Sequence, residues 1–249
     1  MRIPFTAALP FFETGRFDVV RLLIMVFVMT LSLSVHEYAH ARAAYRLGDD
    51  TAALAGRMTL NPLRHLDPIG ALVFIFAGVG WAKPVPVNPA RFTKAKSVKQ
   101  GMLLTSLAGP VSNLILGTIS WLLFCIFYTI FMATAPHIQL VTTVWMLFYT
   151  LYATNVLLAV FNLLPVPPLD GSRIFSAALK DETYYKLMRY ERYIGIAFLL
   201  FVFLFSGAFS RFLGWILTPF NYIIQYPITW LFQRLQIALG LPPMPMLIG

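Results

Sequence analysis

The stretch Ser34-Val35-His36-Glu37-Tyr38-Ala39-His40-Ala41-Arg42 lies near the end of an apolar run from Val19 to Ala44. It places an HExxH pattern inside a segment long enough to cross a bilayer, for which about 20 predominantly apolar residues suffice. On a helix, residues four apart share one face. His36 and His40 can therefore offer ring nitrogens to one metal ion, and Glu37, one position on, can reach a water held there. The alternative structural reading is a pair of imidazoles satisfied in a helix interface. Hydrocarbon weighs against that alternative, because an insertion cost of ~2.5–3.5 kcal/mol per charged residue has to be recovered by function.

The rest of the composition agrees with a membrane setting. The 249 residues are 59% hydrophobic and only 12% charged, against about 25% charged in soluble domains. At ~20 residues per span the length suits five or six transmembrane helices in one domain over residues 1–249, with no room for an added soluble module. The formal net charge of +9 is better explained by loops facing anionic lipid than by nucleic acid. A lone Cys125 in an apolar run allows no internal disulfide and no thiolate metal site. The first fifteen residues, with Pro4, Pro10 and Glu13, do not resemble a cleavable signal.

Taken in order, the first hydrophobic element runs from about Phe17 to Leu47, roughly 46 Å as a helix, so one end must project beyond the ~30 Å hydrocarbon core. Arg42 and Arg46 mark that end, and helical rise puts His36 about 9 Å below Arg42. Gly48-Asp49-Asp50 is expected to terminate the helix. The apolar Ile69–Gly80 segment is too short for an ordinary span. If it crossed, the cations from Lys83 to Lys99 would leave the side of Arg42, Arg46, Arg57 and Arg64, against the positive-inside bias; it is expected to be re-entrant or packed on the bundle. Trp81–Pro89, with its alternating prolines, is expected to be a short extended or β segment. Gly101–Ala133 and Ile138–Leu164 form an outgoing and returning pair about the uncharged Pro136-His137 loop. Lys180–Arg192 reads as a charged loop, Tyr193–Leu217 as a further span, and Tyr222–Leu239, with Pro227 and Arg234, as a span or an interfacial helix. The Pro242–Pro245 tail is expected to be loose. The expected fold is thus an all-α polytopic membrane protein, with a catalytic core over about 19–175 and C-terminal helices over about 193–240. Basic residues gather on the HExxH side, which predicts an active site near the cytoplasmic face and an external N-terminus.

A hydrolytic zinc site has three protein ligands and keeps a position for water. Candidates for the third are His65, Asp67, His137, Asp170, Asp181 and Glu182. His137 falls on the far side, Asp181 and Glu182 lie among cations, and His65 and Asp67 occupy a turn for which surface capping and a functional role are both open readings. Asp170 follows a span that returns to the HExxH side, in a Pro-Pro-Leu-Asp-Gly turn that cannot continue the helix, and is the preferred ligand. Asn113 and Asn162 are polar at membrane depth. Each could bond another helix or steady an oxyanion and position substrate.

These residues carry a resemblance. Val35-His36-Glu37-Tyr38-Ala39-His40, Ser106-Leu107-Ala108-Gly109-Pro110-Val111-Ser112-Asn113, and Asn162 through Leu169-Asp170-Gly171 look like the motifs of the site-2 protease family of intramembrane zinc metalloproteases. Asn61-Pro62 to Asp67-Pro68 and Trp81–Pro89 resemble its compact bacterial branch, without PDZ or CBS modules. The resemblance implies one Zn2+ per chain on His36, His40 and Asp170, Glu37 as general base, and regulated cleavage of transmembrane protein substrates in a bacterial inner membrane. It also suggests an extended substrate pairing with an exposed edge, for which Lys83, Val85, Val87 and Asn88 are the candidates. The rival is a non-catalytic membrane protein that binds metal or single-pass helices. Glu37 beside the ligands argues for hydrolysis, since a carrier has no need of a base there.

Overall fold

The computed structural model describes residues 12–13, 16–77, 80–134 and 139–246. His137 and the expected Pro136-His137 loop lie outside them. Among the described residues, eight α-helices follow a two-residue antiparallel pairing of β1 (Phe12–Glu13) with β2 (Arg16–Phe17). They are α1 (Val19–Arg46), α2 (Thr51–Leu54), α3 (Pro68–Ala77), α4 (Val98–Thr134), α5 (Gln139–Asn162), α6 (Asp170–Ser176), α7 (Asp181–Leu204) and α8 (Ser206–Ala238).

Among the described residues, three helices are long and apolar enough to cross a membrane: α1, α4 and α5. The count rises to four if α7 and α8, bent by 100° at their junction, make one span. The expected five or six spans are corrected accordingly. The reason is local. The Lys180–Arg192 stretch, expected as a loop, is the first half of α7, where Asp181 and Glu182 in the first turn favour a helix start. The apolar run from Tyr193 is then divided at Phe205, and α8 continues through Pro219 and Pro227.

The central helix is α4, which packs on α1, α5, α6 and α8. Its aromatic core, Trp121 and Phe124, meets Tyr152, Val156 and Val160 of α5. Polar side chains seat α8 against this core: Trp121 Nε1 donates to Thr229 Oγ1 at 3.1 Å and Gln236 Nε2 to Thr129 Oγ1 at 2.9 Å. In an apolar setting such bonds replace no bulk water and fix helix register. The tail expected to be loose is docked instead. Met244 is buried, its N–H donates to Gln236 Oε1 at 2.8 Å, and its carbonyl accepts from Gln233 Nε2.

Helix α1 keeps nearly its expected bounds, with Asp18 Oδ1 capping Arg21 N–H at 3.0 Å and Gly48 at φ +103° ending the last turn. The ten residues of α3 reach only about 15 Å. Its flanks are tied together by a Leu66–Ala82 antiparallel bridge and by Lys83 N–H donating to His65 O at 2.8 Å. The segment therefore leaves from the end where it enters, as a re-entrant element does. Asp67 Oδ1 caps α3 through the N–H groups of Ile69 and Gly70, and Asn61 caps the preceding turn.

Residues 83–88 are extended but form no ladder, which corrects the expected β segment. Pro84 and Pro86 remove two donors, and the remaining inward N–H groups are taken by side chains. Val85 N–H donates to Glu37 Oε2 at 2.8 Å, and Asn88 N–H to the fully buried Asp49 at 2.7 Å. Lys94 N–H bonds Leu47 O, Arg91 pairs with Asp50 at 2.7 Å, and Lys99 pairs with Asp181 at 2.6 Å. The basic segments thus collect at one end of the bundle, where α1 and α5 finish and α4 begins.

Candidate metal centre

The helical spacing of His36 and His40 brings their Nε2 atoms to 2.9 Å. Asp170 is the first residue of α6, and its position follows from the chain before it. Pro165, Pro167 and Pro168 stop α5 from continuing, and the new helix begins after Leu169, whose carbonyl accepts from Ser172 N–H at 3.0 Å and from Ser172 Oγ at 2.7 Å. The turn carries Asp170 Oδ2 to 3.2 Å from His36 Nε2 and 3.3 Å from His40 Nε2. The Arg173–Glu191 pair, at 3.1 Å, ties α6 to α7.

The far nitrogens decide what the near ones can do. His40 Nδ1 lies 2.7 Å from Thr105 O, a backbone carbonyl that can only accept, so Nδ1 carries the proton. His36 Nδ1 lies 2.5 Å from Asn113 Oδ1, and the Asn113 Nδ2 group donates to Asn155 Oδ1 at 2.7 Å. Both Nε2 atoms of the neutral rings therefore hold lone pairs. These face each other and Asp170 Oδ2, which is buried with no hydrogen-bond donor of its own. Three converging acceptors require a positive charge among them, either a shared proton or a metal ion. His36, His40 and Asp170 place their ligand atoms within 4.8 Å of one another, and this N, N, O set fits a divalent ion.

Glu37 is buried on the neighbouring stripe of α1, held by Val85 N–H. A cavity of about 90 Å³ runs along that same stripe. Ser34, Leu33, Thr30, Met29 and Val26 line it, three to eleven residues before Glu37, and His65, Gly70, Ala71 and Trp81 close the other wall. His65 Nε2 bonds Thr59 O at 2.7 Å, and its buried Nδ1 has no partner among the described residues.

The sequence-selected residues divide into those at the centre and those elsewhere. His36, His40, Asp170 and Glu37 come together. Asn113 is fully buried behind His36, where its oxygen is spent on the ring, so it supports a ligand and does not face an open substrate position. Asn162 turns its amide back onto Leu158 O at 2.9 Å, within its own helix. Val85 meets Glu37, Asn88 caps a turn through Ala90 N–H, and the Lys83 carbonyl accepts from Arg57 at 2.7 Å.

Sequence reading missed Asn155, the Thr105 carbonyl and Gly109. Gly109 is where α4 passes the histidines. A Cβ there would lie 2.5 Å from His40 Cε1 and Nε2 and 2.6 Å from His36 Cε1. Gly109→Ala is accordingly expected to displace both rings and lower bound metal and activity together. Elemental analysis of the purified variant checks this; full metal occupancy would mean that α4 can retreat.

A family model described as peptidase family M50 matches residues 24–205. The chain is 38% identical over 195 residues to the Bacillus subtilis protein named "Putative zinc metalloprotease YwhC", covering 77% of this chain and 84% of that one. Rip2 of Mycobacterium tuberculosis H37Rv, whose name carries the same description, is 33% identical over 72% of this chain and 68% of its own length. Rip2 of Mycolicibacterium smegmatis is 30% identical over 61% and 56%. No solved structure matches significantly.

Proposed function

The chain belongs to peptidase family M50, the site-2 protease family, and from that premise we propose that it is an intramembrane zinc endopeptidase. Its substrates on this reading are membrane proteins cut within or near their transmembrane segments. The observation that carries the proposal is the convergence of His36 Nε2, His40 Nε2 and Asp170 Oδ2 beside Glu37 on a membrane-length helix. One Zn2+ per chain fits these donors, and when bound it supplies Lewis-acid polarisation of the scissile carbonyl and acidifies water.

The chain's own groups do the rest. Thr105 O and Asn113 Oδ1 hold the two imidazoles with their Nε2 lone pairs inward. Glu37 accepts the proton of the attacking water and returns it to the leaving amine. Val85 N–H restrains one carboxylate oxygen of Glu37 and leaves the other for that task. The packing of α1 on α4 keeps His36 and His40 buried.

A helix hides its backbone, so the substrate must unwind locally. The cavity along the Glu37 stripe is the route we assign to it. Filling it with Ala71→Trp is expected to raise KM severalfold at unchanged zinc content. An unchanged KM would remove the cavity from the substrate path. The gathering of Arg42, Arg46, Lys83, Arg91 and Lys99 at the metal end supports an active site near the cytoplasmic face of a bacterial inner membrane. The whole proposal is tested by comparing membrane proteomes of cells carrying wild type or Glu37→Gln. Uncut transmembrane proteins should accumulate only with the variant; identical proteomes count against proteolysis.

A further inference from the structure

Resting on the metal reading above, we propose that Asn155 is a positioning residue that, through Asn113, sets which ring nitrogen of His36 faces the metal. A carboxamide has a donor end and an acceptor end of nearly the same shape. If Asn113 presents Oδ1 to His36 Nδ1, the proton sits on Nδ1 and Nε2 is free to ligate. If it presents Nδ2, the proton moves to Nε2 and the ligand is closed.

The choice is fixed elsewhere in the bundle. Asn155, one turn past Leu151 on α5, donates from Nδ2 to Leu151 O at 2.8 Å and to Ser32 Oγ at 2.8 Å. A backbone carbonyl only accepts, so the Asn155 amide cannot turn over without setting its own oxygen against Leu151 O. Its Oδ1 must then face Asn113, where it accepts from Nδ2 at 2.7 Å. Asn113 in turn must give Oδ1 to His36. A second acceptor for Asn113, Ser32 O, stands at 3.4 Å and is too long to hold the amide by itself. Ser32, Asn113 and Asn155 are all fully buried, so no bulk water can substitute for a lost partner. One carbonyl of α5 thus dictates the tautomer of a ligand on α1 across three helices, and it does so from a helix that contributes no ligand.

The test is zinc affinity of the full-length purified protein, by competition with a chelating indicator, for three forms: wild type, Asn155→Leu and the double variant that adds Asn113→Asp. Asn155→Leu, which keeps side-chain size, is expected to weaken zinc about 10–100-fold, the range for a lost outer-shell partner. Asn113→Asp placed on top of Asn155→Leu is expected to restore affinity to within severalfold of wild type. A carboxylate has only acceptor ends and cannot offer His36 the wrong one. A merely structural role for Asn155 predicts no such rescue, since the second change adds nothing to packing.

Unchanged affinity in Asn155→Leu, or a double variant no tighter than Asn155→Leu alone, overturns the proposal. Wild type that takes up no zinc overturns the metal reading instead. If Asn155→Leu does not fold, 15N spectra of the metal-free wild type with labelled histidine decide. His36 protonated at Nδ1 is expected, and protonation at Nε2 overturns the proposal.

Discussion

Glu37→Gln is expected to lower peptide cleavage by about 10²–10⁴-fold, the range that a positioned general base supplies, while zinc content stays at the wild-type level. Glutamine is the informative replacement because Glu37 has a second task. Its Oε2 accepts the buried Val85 N–H at 2.8 Å, and an amide oxygen can accept that bond as well. Val85 therefore remains in its cluster with Ala41 and Ala52, and only basicity is lost. Glu37→Ala removes both, and leaving a buried donor unpaired costs about 1–3 kcal/mol, so this variant should also melt earlier than Glu37→Gln. Rates on a transmembrane peptide, with zinc measured on the same samples, check the prediction. A Glu37→Gln enzyme within tenfold of wild type would show that another group takes the proton.

Asp170→Ala is expected to abolish retained zinc on dialysis, a larger loss than the ~10–100-fold assigned to an outer-shell partner. It removes a ligand outright and leaves two imidazoles. The local fold should survive, because Ser172 bonds the Leu169 carbonyl and Arg173 anchors α6 on Glu191, and neither contact uses the Asp170 carboxylate. Circular dichroism unchanged from wild type, together with a zinc-to-protein ratio near zero, is the predicted pair of results. Stoichiometric zinc in this variant would place the third ligand elsewhere.

Much of this centre is legible in the sequence because its information is local. Spacing puts His36, Glu37 and His40 on adjoining stripes of one helix, and a proline-rich break followed by Asp170 marks a carboxylate freed from helical direction. The return of α5 to the HExxH end follows from counting spans, even though the total was expected too high. Two long-range facts were not legible. Asn155 is visible as a polar residue in an apolar helix, but its bond to Asn113 joins positions 42 apart. Gly109 reads as an ordinary glycine before a proline until α4 is laid against the histidines. Thr105 acts through its carbonyl, which every residue has, so no side-chain signal could single it out.

The misread elements fail for the opposite reason, since a local signal was outvoted by composition. Lys180–Arg192 is rich in charge, yet Asp181 and Glu182 stand where a helix N-terminus favours them. Prolines in residues 242–245 suggest a loose tail, but Met244 finds a pocket between α4 and α8. The 83–88 segment, expected to be extended or β, forms no ladder among the described residues. Its N–H groups were free to pair only until Glu37 and Asp49 claimed them.

The central claim, that His36, His40 and Asp170 hold a metal with which Glu37 cuts peptide bonds in the membrane, is met most directly by one reconstitution. Wild-type protein in lipid vesicles is given a transmembrane peptide, stripped with a chelator, and reloaded with zinc. Cleavage within or next to the span that disappears with the chelator and returns with one zinc per chain is the predicted result. A protein that rebinds one zinc per chain and leaves every transmembrane peptide intact would contradict it.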